Sequence, residues 1–152
     1  MKSISTLFVL MIISISLAAQ WKALDSGGIS NQNQNLVITV NETPDNSLWG
    51  IVFNKNYIPT LEYLRSTDGG LTVEAGTFPG TVSSDGAFDL VAFSADVAYV
   101  TVINRSSFTT GYLYKTIDGG TSWTNITPNF GSGIVFCIHF WDETEGLMYT
   151  TG

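Results

Sequence analysis

"KTIDGGTSWTNI", residues 115–126, is the stretch on which the fold turns, because residues 65–76 already read "RSTDGGLTVEAG". Both copies place Ser or Thr two residues before Asp-Gly-Gly. A tight hairpin needs residues that accept positive φ, and glycine does so at low steric cost. An aspartate beside the glycines can fold its carboxylate back onto nearby backbone N–H groups. The hydroxyls of Ser66 and Thr116 offer further partners, and Trp123 is expected to pack its indole over the turn. Every residue type in the stretch has a structural task, and none requires a substrate.

Outward from these loops the hydrophobic period is 2, with no convincing run at 3.6 spacing. Nine strands are expected, at 35–40, 47–54, 61–66, 88–93, 97–104, 111–116, 122–127, 134–140 and 146–151. Turn residues fall between them: "PDNS", "TDGG", "SSDG", "IDGG" and "PNFGSG". Asp68 and Asp118 lie 50 residues apart, and Phe93 and Phe140 lie 47 apart at the ends of similar apolar strands. The unit is therefore roughly 50 residues long: strand, acidic turn, strand, longer loop, strand, Asp-Gly-Gly turn, strand. Four antiparallel strands at this period are the signature of a β-propeller blade. "Gln-Trp21-Lys-Ala-Leu24" resembles "Ser-Trp123-Thr-Asn-Ile126", the strand that leaves the second loop, and reads as an orphan outer strand. The expectation is an all-β chain carrying about two and a half blades over residues 20–152, an incomplete propeller.

Composition agrees with strands and turns. Charged residues are only 12% of the chain, aromatics are also 12%, and Ser, Thr, Asn and Gly carry the polarity. The formal net charge is −7 with no cluster of Lys or Arg, which argues against nucleic acid or anionic lipid as a partner. Residues 1–19 have the form of a signal peptide: Lys2, an apolar run from Leu7 to Leu17, then Ala18-Ala19. The mature chain is expected to be secreted, periplasmic or at the cell surface. Cys137, the single cysteine, sits in an apolar strand and is expected to be a small buried hydrophobe.

The two loops resemble the Asp-box, or BNR repeat, Ser/Thr-x-Asp-x-Gly-x-Thr/Ser-Trp. Thr116, Asp118, Gly120, Ser122 and Trp123 fit it, as do Ser66, Asp68, Gly70 and Thr72, with Val73 in the aromatic position. The repeat occurs in sialidases, xyloglucan-cleaving hydrolases, sortilin luminal domains and photosystem II assembly factors. The resemblance implies a β-propeller whose boxes sit at blade hairpins on the rim, in a structural role, away from the central face.

The residues carry little chemistry. Glycosidases need an Asp/Glu pair, and the acids Asp45, Asp85, Asp96, Asp142, Glu143 and Glu145 fall mostly in turns. "WDETEG", the densest cluster, reads as a solvated hairpin turn. Sialidases typically use three arginines, and this chain has Arg65 and Arg105. His139 aligns with Ala92 of the preceding unit and is expected to be a partly buried structural histidine, with a channel-facing one as the alternative. The acid spacing matches no Ca²⁺ loop and no His/Cys pair suggests zinc, so no cofactor or metal is expected. Asn41, Asn104 and Asn125 head N-glycosylation sequons. The expected function is an exported, non-catalytic propeller that binds an extracellular protein or glycan. The alternative is the N-terminal part of a sialidase-like or xyloglucanase-like glycoside hydrolase.

Overall fold

The computed structural model describes residues 35–129 and 133–151. The expected signal peptide, residues 1–19, and the outer strand expected at Trp21 lie outside these residues. Among the described residues, ten strands form three antiparallel sheets. The first holds β1 (Asn35–Glu42), β2 (Leu48–Asn54), β3 (Pro59–Ser66) and β4 (Glu74–Thr77), in that order. The second repeats the order with β5 (Asp85–Ala92), β6 (Ala98–Asn104), β7 (Gly111–Thr116) and β8 (Thr124–Asn125). The third comprises β9 (Ile134–Phe140) and β10 (Gly146–Thr151) among the described residues.

Alternation explains how the sheets stack. Successive side chains on a strand point to opposite faces, so a strand buried on both sides is apolar throughout. In β6, Ala98, Val100 and Val102 pack with Trp49, Ile51 and Tyr63 of the first sheet and with Phe78, which follows β4. On its other face Tyr99 joins Leu113 of β7 and Val135 and Ile138 of β9. The cores thus lie between successive sheets. Each fully buried side chain of this size contributes about 1.5–3 kcal/mol. Consecutive four-stranded meanders packed face to face are β-propeller blades.

The repeat is kept strand by strand. A bulge interrupts each first strand, leaving Ile38, Phe88 and Phe136 without a ladder partner. The same turn closes each first hairpin: Thr43, Phe93 and Trp141 each donate their N–H to the carbonyl four residues on, at 3.0, 2.9 and 3.0 Å. These anchors correct the expected alignment by one residue. Phe93 corresponds to Trp141, not Phe140, and His139 corresponds to Val91, not Ala92. A one-residue slip exchanges the two faces of a strand, and His139 is exposed, its ring edge-on to Trp141 at 6.0 Å.

Four further expectations change. Cys137 is exposed, on the face of β9 opposite the buried Ile138. The strand expected over 122–127 is ordered as a ladder only at Thr124–Asn125, since the loop geometry takes up Ser122 and Trp123. Glu74–Thr77 forms a strand that periodicity does not show; its residues are small or polar and mostly exposed. Asp85, expected among the turn acids, ends its turn as the first residue of β5 and is only 2% exposed.

Candidate functional site

Both Asp-Gly-Gly loops close by one hydrogen-bond pattern. In the first, Ser66 Oγ donates to Asp68 Oδ1 at 2.8 Å and accepts from the Gly70 N–H at 2.8 Å. Asp68 accepts the Thr72 N–H at 2.9 Å and the Thr72 hydroxyl at 2.7 Å. In the second, Thr116 Oγ1 donates to Asp118 Oδ1 at 2.8 Å and accepts from the Gly120 N–H at 2.9 Å. Asp118 accepts the Ser122 N–H at 2.9 Å and the Ser122 hydroxyl at 2.6 Å. The backbone reason for glycine is equally regular: φ is 69° and 83° at Gly69 and Gly70, and 69° and 85° at Gly119 and Gly120. The Thr72 N–H and hydroxyl hold the Asp68 carboxyl down to about 2. The Ser122 hydroxyl and N–H lower that of Asp118.

Trp123 does not cap its own turn. Its indole enters the preceding sheet, with ring centroids 5.3 Å from Phe78 and 6.3 Å from both Trp49 and Tyr63. Its Nε1 is buried without a hydrogen-bond partner. Val73 holds the corresponding place in the first loop, against Val52 and Leu64.

The hairpin turns beside these loops link each sheet to the next. Trp49 Nε1 donates to Ser94 O at 3.0 Å, and the Tyr99 hydroxyl donates to Glu143 O at 2.5 Å. Trp49 and Tyr99 occupy equivalent places on β2 and β6, so two different side chains make one latch. A cation covers each ring: Arg65 over Trp49 at 5.4 Å and Lys115 over Tyr99 at 5.0 Å. Arg65 also donates from Nε to Ala95 O at 2.8 Å and pairs with Glu74 and Asp96. It is an inter-sheet tie, not a carboxylate receptor. Asp45 accepts the Thr43 hydroxyl within its own turn and the Ala95 N–H at 2.8 Å, and these bonds lower its carboxyl to about 2.

Three further aspartates are spent similarly. Asp142 caps the 141–145 turn through Thr144 and the Glu145 N–H. Asp89 is half-buried and accepts the Leu90 N–H and, across the sheet gap, the Ile138 N–H at 2.8 Å; burial raises its carboxyl above the usual range. Asp85 Oδ2 accepts from Thr81 and Val82, and its Oδ1 has no partner. Among the described residues no group of three or more His, Cys, Asp or Glu is placed to hold a metal ion. The sequon asparagines have local duties too: Asn41 donates to Leu90 O of the next sheet, while Asn104 and Asn125 accept within their own turns.

Sequence reasoning missed the opposite end of the sheets. There the β2–β3 and β6–β7 turns hold Tyr57 and Phe108 at φ 59° and 51°. Both rings are solvent-exposed, at 70% and 50%. Bulky residues in the left-handed region cost about 1–3 kcal/mol each. Positive φ at a non-glycine residue leaves no pattern in a hydropathy profile.

Fold and loops together define a class: a protein of β-propeller blades with repeated, self-satisfied hairpin loops. No family model matches the chain, and no curated protein matches it. Among solved structures it is similar to "YCF48 bound to D1 peptide", with a TM-score of 0.47 and 17% identity over 76% of this chain and 36% of that chain. The chain therefore spans 36% of the length of that structure.

Proposed function

We propose that this chain is an exported, non-catalytic β-propeller scaffold that presents a rigid surface to an extracellular protein or glycan, and that its two Asp-Gly-Gly loops are Asp-boxes with a purely architectural role. One observation carries the reading. Both carboxylate oxygens of Asp68 and of Asp118 are occupied inside their own loops, so neither is free to serve as a general base or nucleophile. Export rests on residues 1–19, with cleavage after Ala19; N-terminal sequencing of the secreted product is expected to begin at Gln20.

The test compares wild type with Asp68→Asn and Asp118→Asn. Thermal melting is expected to fall in both variants. Binding to a polysaccharide panel, measured below the melting point, is expected to stay unchanged. Lost binding at unchanged melting would overturn the architectural role. Turnover of a sialoside or β-glucan that replacing one Asp or Glu abolishes would overturn the non-catalytic reading.

A further inference from the structure

The end of the sheets opposite the Asp-Gly-Gly loops carries a groove of about 370 Å³ between the first two blades. Tyr57, Ile58 and Pro59 of the first blade line it together with Phe88, Arg105 and Phe108 of the second. Three features distinguish it from ordinary surface. First, its two most exposed rings stand on strained backbone. Tyr57 N–H donates to Asn54 O at 2.9 Å and Asn54 N–H to Ile58 O at 2.9 Å, a three-residue hairpin whose left-handed position normally takes Gly or Asn. Phe108 repeats the left-handed backbone in a differently sized turn of the second blade. Strain held twice, each time to expose an aromatic ring, points to function.

Second, the rings are arranged. Phe108 and Phe136 both meet Phe88 edge-on, at 6.4 and 6.3 Å, with interplanar angles of 81° and 80°. Phe88 and Phe136 are the bulged residues of β5 and β9, where the ladder is interrupted. Third, the groove holds a cation with unspent capacity. Arg105 is fixed by backbone carbonyls, with Nη2 donating to Ser83 O at 3.1 Å and Asp85 O at 3.3 Å. Among the described residues no carboxylate forms an ion pair with it, and its Nη1 has no hydrogen-bond partner. The nearby Asp85 carboxylate is turned into the 81–85 turn, where it accepts from Thr81 and Val82. Arg65, by contrast, is paired with Glu74 and Asp96.

We propose that this groove binds an acidic saccharide, its pyranose faces lying on Tyr57 and Phe108 and its carboxylate meeting the Arg105 guanidinium. The C–H face of a pyranose is apolar and suits the negative face of an aromatic ring. A guanidinium with free N–H groups matches a carboxylate. A strand-forming peptide is the less suitable occupant, because the polar groups offered are a phenol and a guanidinium, not a row of ladder N–H and C=O groups. The inference rests on the scaffold reading above and assigns its ligand class and its face.

The test uses the full mature chain and tri-galacturonate as probe, with its fully methyl-esterified form and tri-glutamate as controls, titrated by calorimetry. Tri-galacturonate is expected to bind, and esterification to weaken it at least tenfold. Arg105→Gln should weaken the acid at least tenfold and leave little difference between acid and ester. Tyr57→Asn should weaken both saccharides at least tenfold while melting stays level or rises, because Asn accepts the left-handed position. That combination separates a lost ligand contact from a lost fold. Tri-galacturonate binding that survives Arg105→Gln and Tyr57→Asn would overturn this groove while leaving the scaffold reading standing. Equal binding of acid and ester, tri-glutamate binding that matches tri-galacturonate, or no saccharide binding would each overturn the assignment of the ligand.

Discussion

Replacing Trp123 tests whether the second Asp-Gly-Gly loop holds one blade to another. The indole reaches from the second blade into the aromatic cluster of the first, within 5.3 Å of Phe78 and 6.3 Å of Trp49 and Tyr63. Truncating a buried aromatic to Ala costs about 3–5 kcal/mol. Part of this ring remains exposed, so Trp123→Ala is expected at the low end, about 3 kcal/mol. For a chain of this size that is a fall of about 6–12 °C in melting temperature. Trp123→Phe makes the sharper comparison. It keeps most of the ring and deletes the buried Nε1–H, which has no partner. An unsatisfied buried donor costs about 1–3 kcal/mol, so relief of that cost offsets much of the lost area, and the Phe variant should lie within about 1 kcal/mol of wild type. Urea unfolding followed by far-ultraviolet circular dichroism measures both without depending on the lost fluorophore. The reasoning fails if the Ala variant loses less than about 1 kcal/mol, or if Phe costs as much as Ala.

Other outcomes follow from the same contacts. Asp45 and Asp68 titrate at about 2 in the fold against 3.8 for the free side chain, so their stabilisation is complete above pH 4 and is lost as pH falls towards 2; Asp68→Asn should flatten that acid limb in pH-dependent melting. Asp89, raised by burial above 3.8, has the opposite sign: stability is lost as pH rises from 3.8 through its folded value, so Asp89→Asn should flatten the melting profile over that rise. Gly120→Ala drives a Cβ into the Tyr63 hydroxyl at φ 85° and should lower the melting temperature more than Gly80→Ala, whose Cβ is crowded by the flexible end of the Leu61 side chain. Tyr99→Phe deletes the bond to Glu143 O and should cost about 0.5–1.5 kcal/mol in urea unfolding.

The period of the fold was legible because it is written in backbone-demanding residues. Asp-Gly-Gly at 68–70 and 118–120 fixes two equivalent turns, and the nearly unbroken apolar run in "VAYVTVIN" marks a strand buried on both faces. The outer strand Glu74–Thr77 was not legible, since a short exposed edge strand needs no apolar alternation. The alignment of Phe93 slipped because it was matched to Phe140 by side-chain identity, whereas the hairpin turn makes Trp141 its equivalent. Trp123 was visible as a packed indole, but its destination was not: a local motif does not state which sheet lies against it. Tyr57 and Phe108 look like unremarkable loop aromatics until their backbone angles are known.

The latch between blades has a direction. Trp49 reaches forward to Ser94, and Tyr99 reaches forward to Glu143, so the second sheet presents a donor ahead and an acceptor behind. Such a joint is head-to-tail and heterologous, the kind that either spirals without limit or returns on itself. What decides between the two is a wedge angle. Trp123 sits in the gap between the first two sheets as a shim, and the width of that shim helps set how far one sheet is rotated from its neighbour. Small changes in side-chain volume at this one position are therefore changes in curvature, and curvature sets how many sheets a ring accepts.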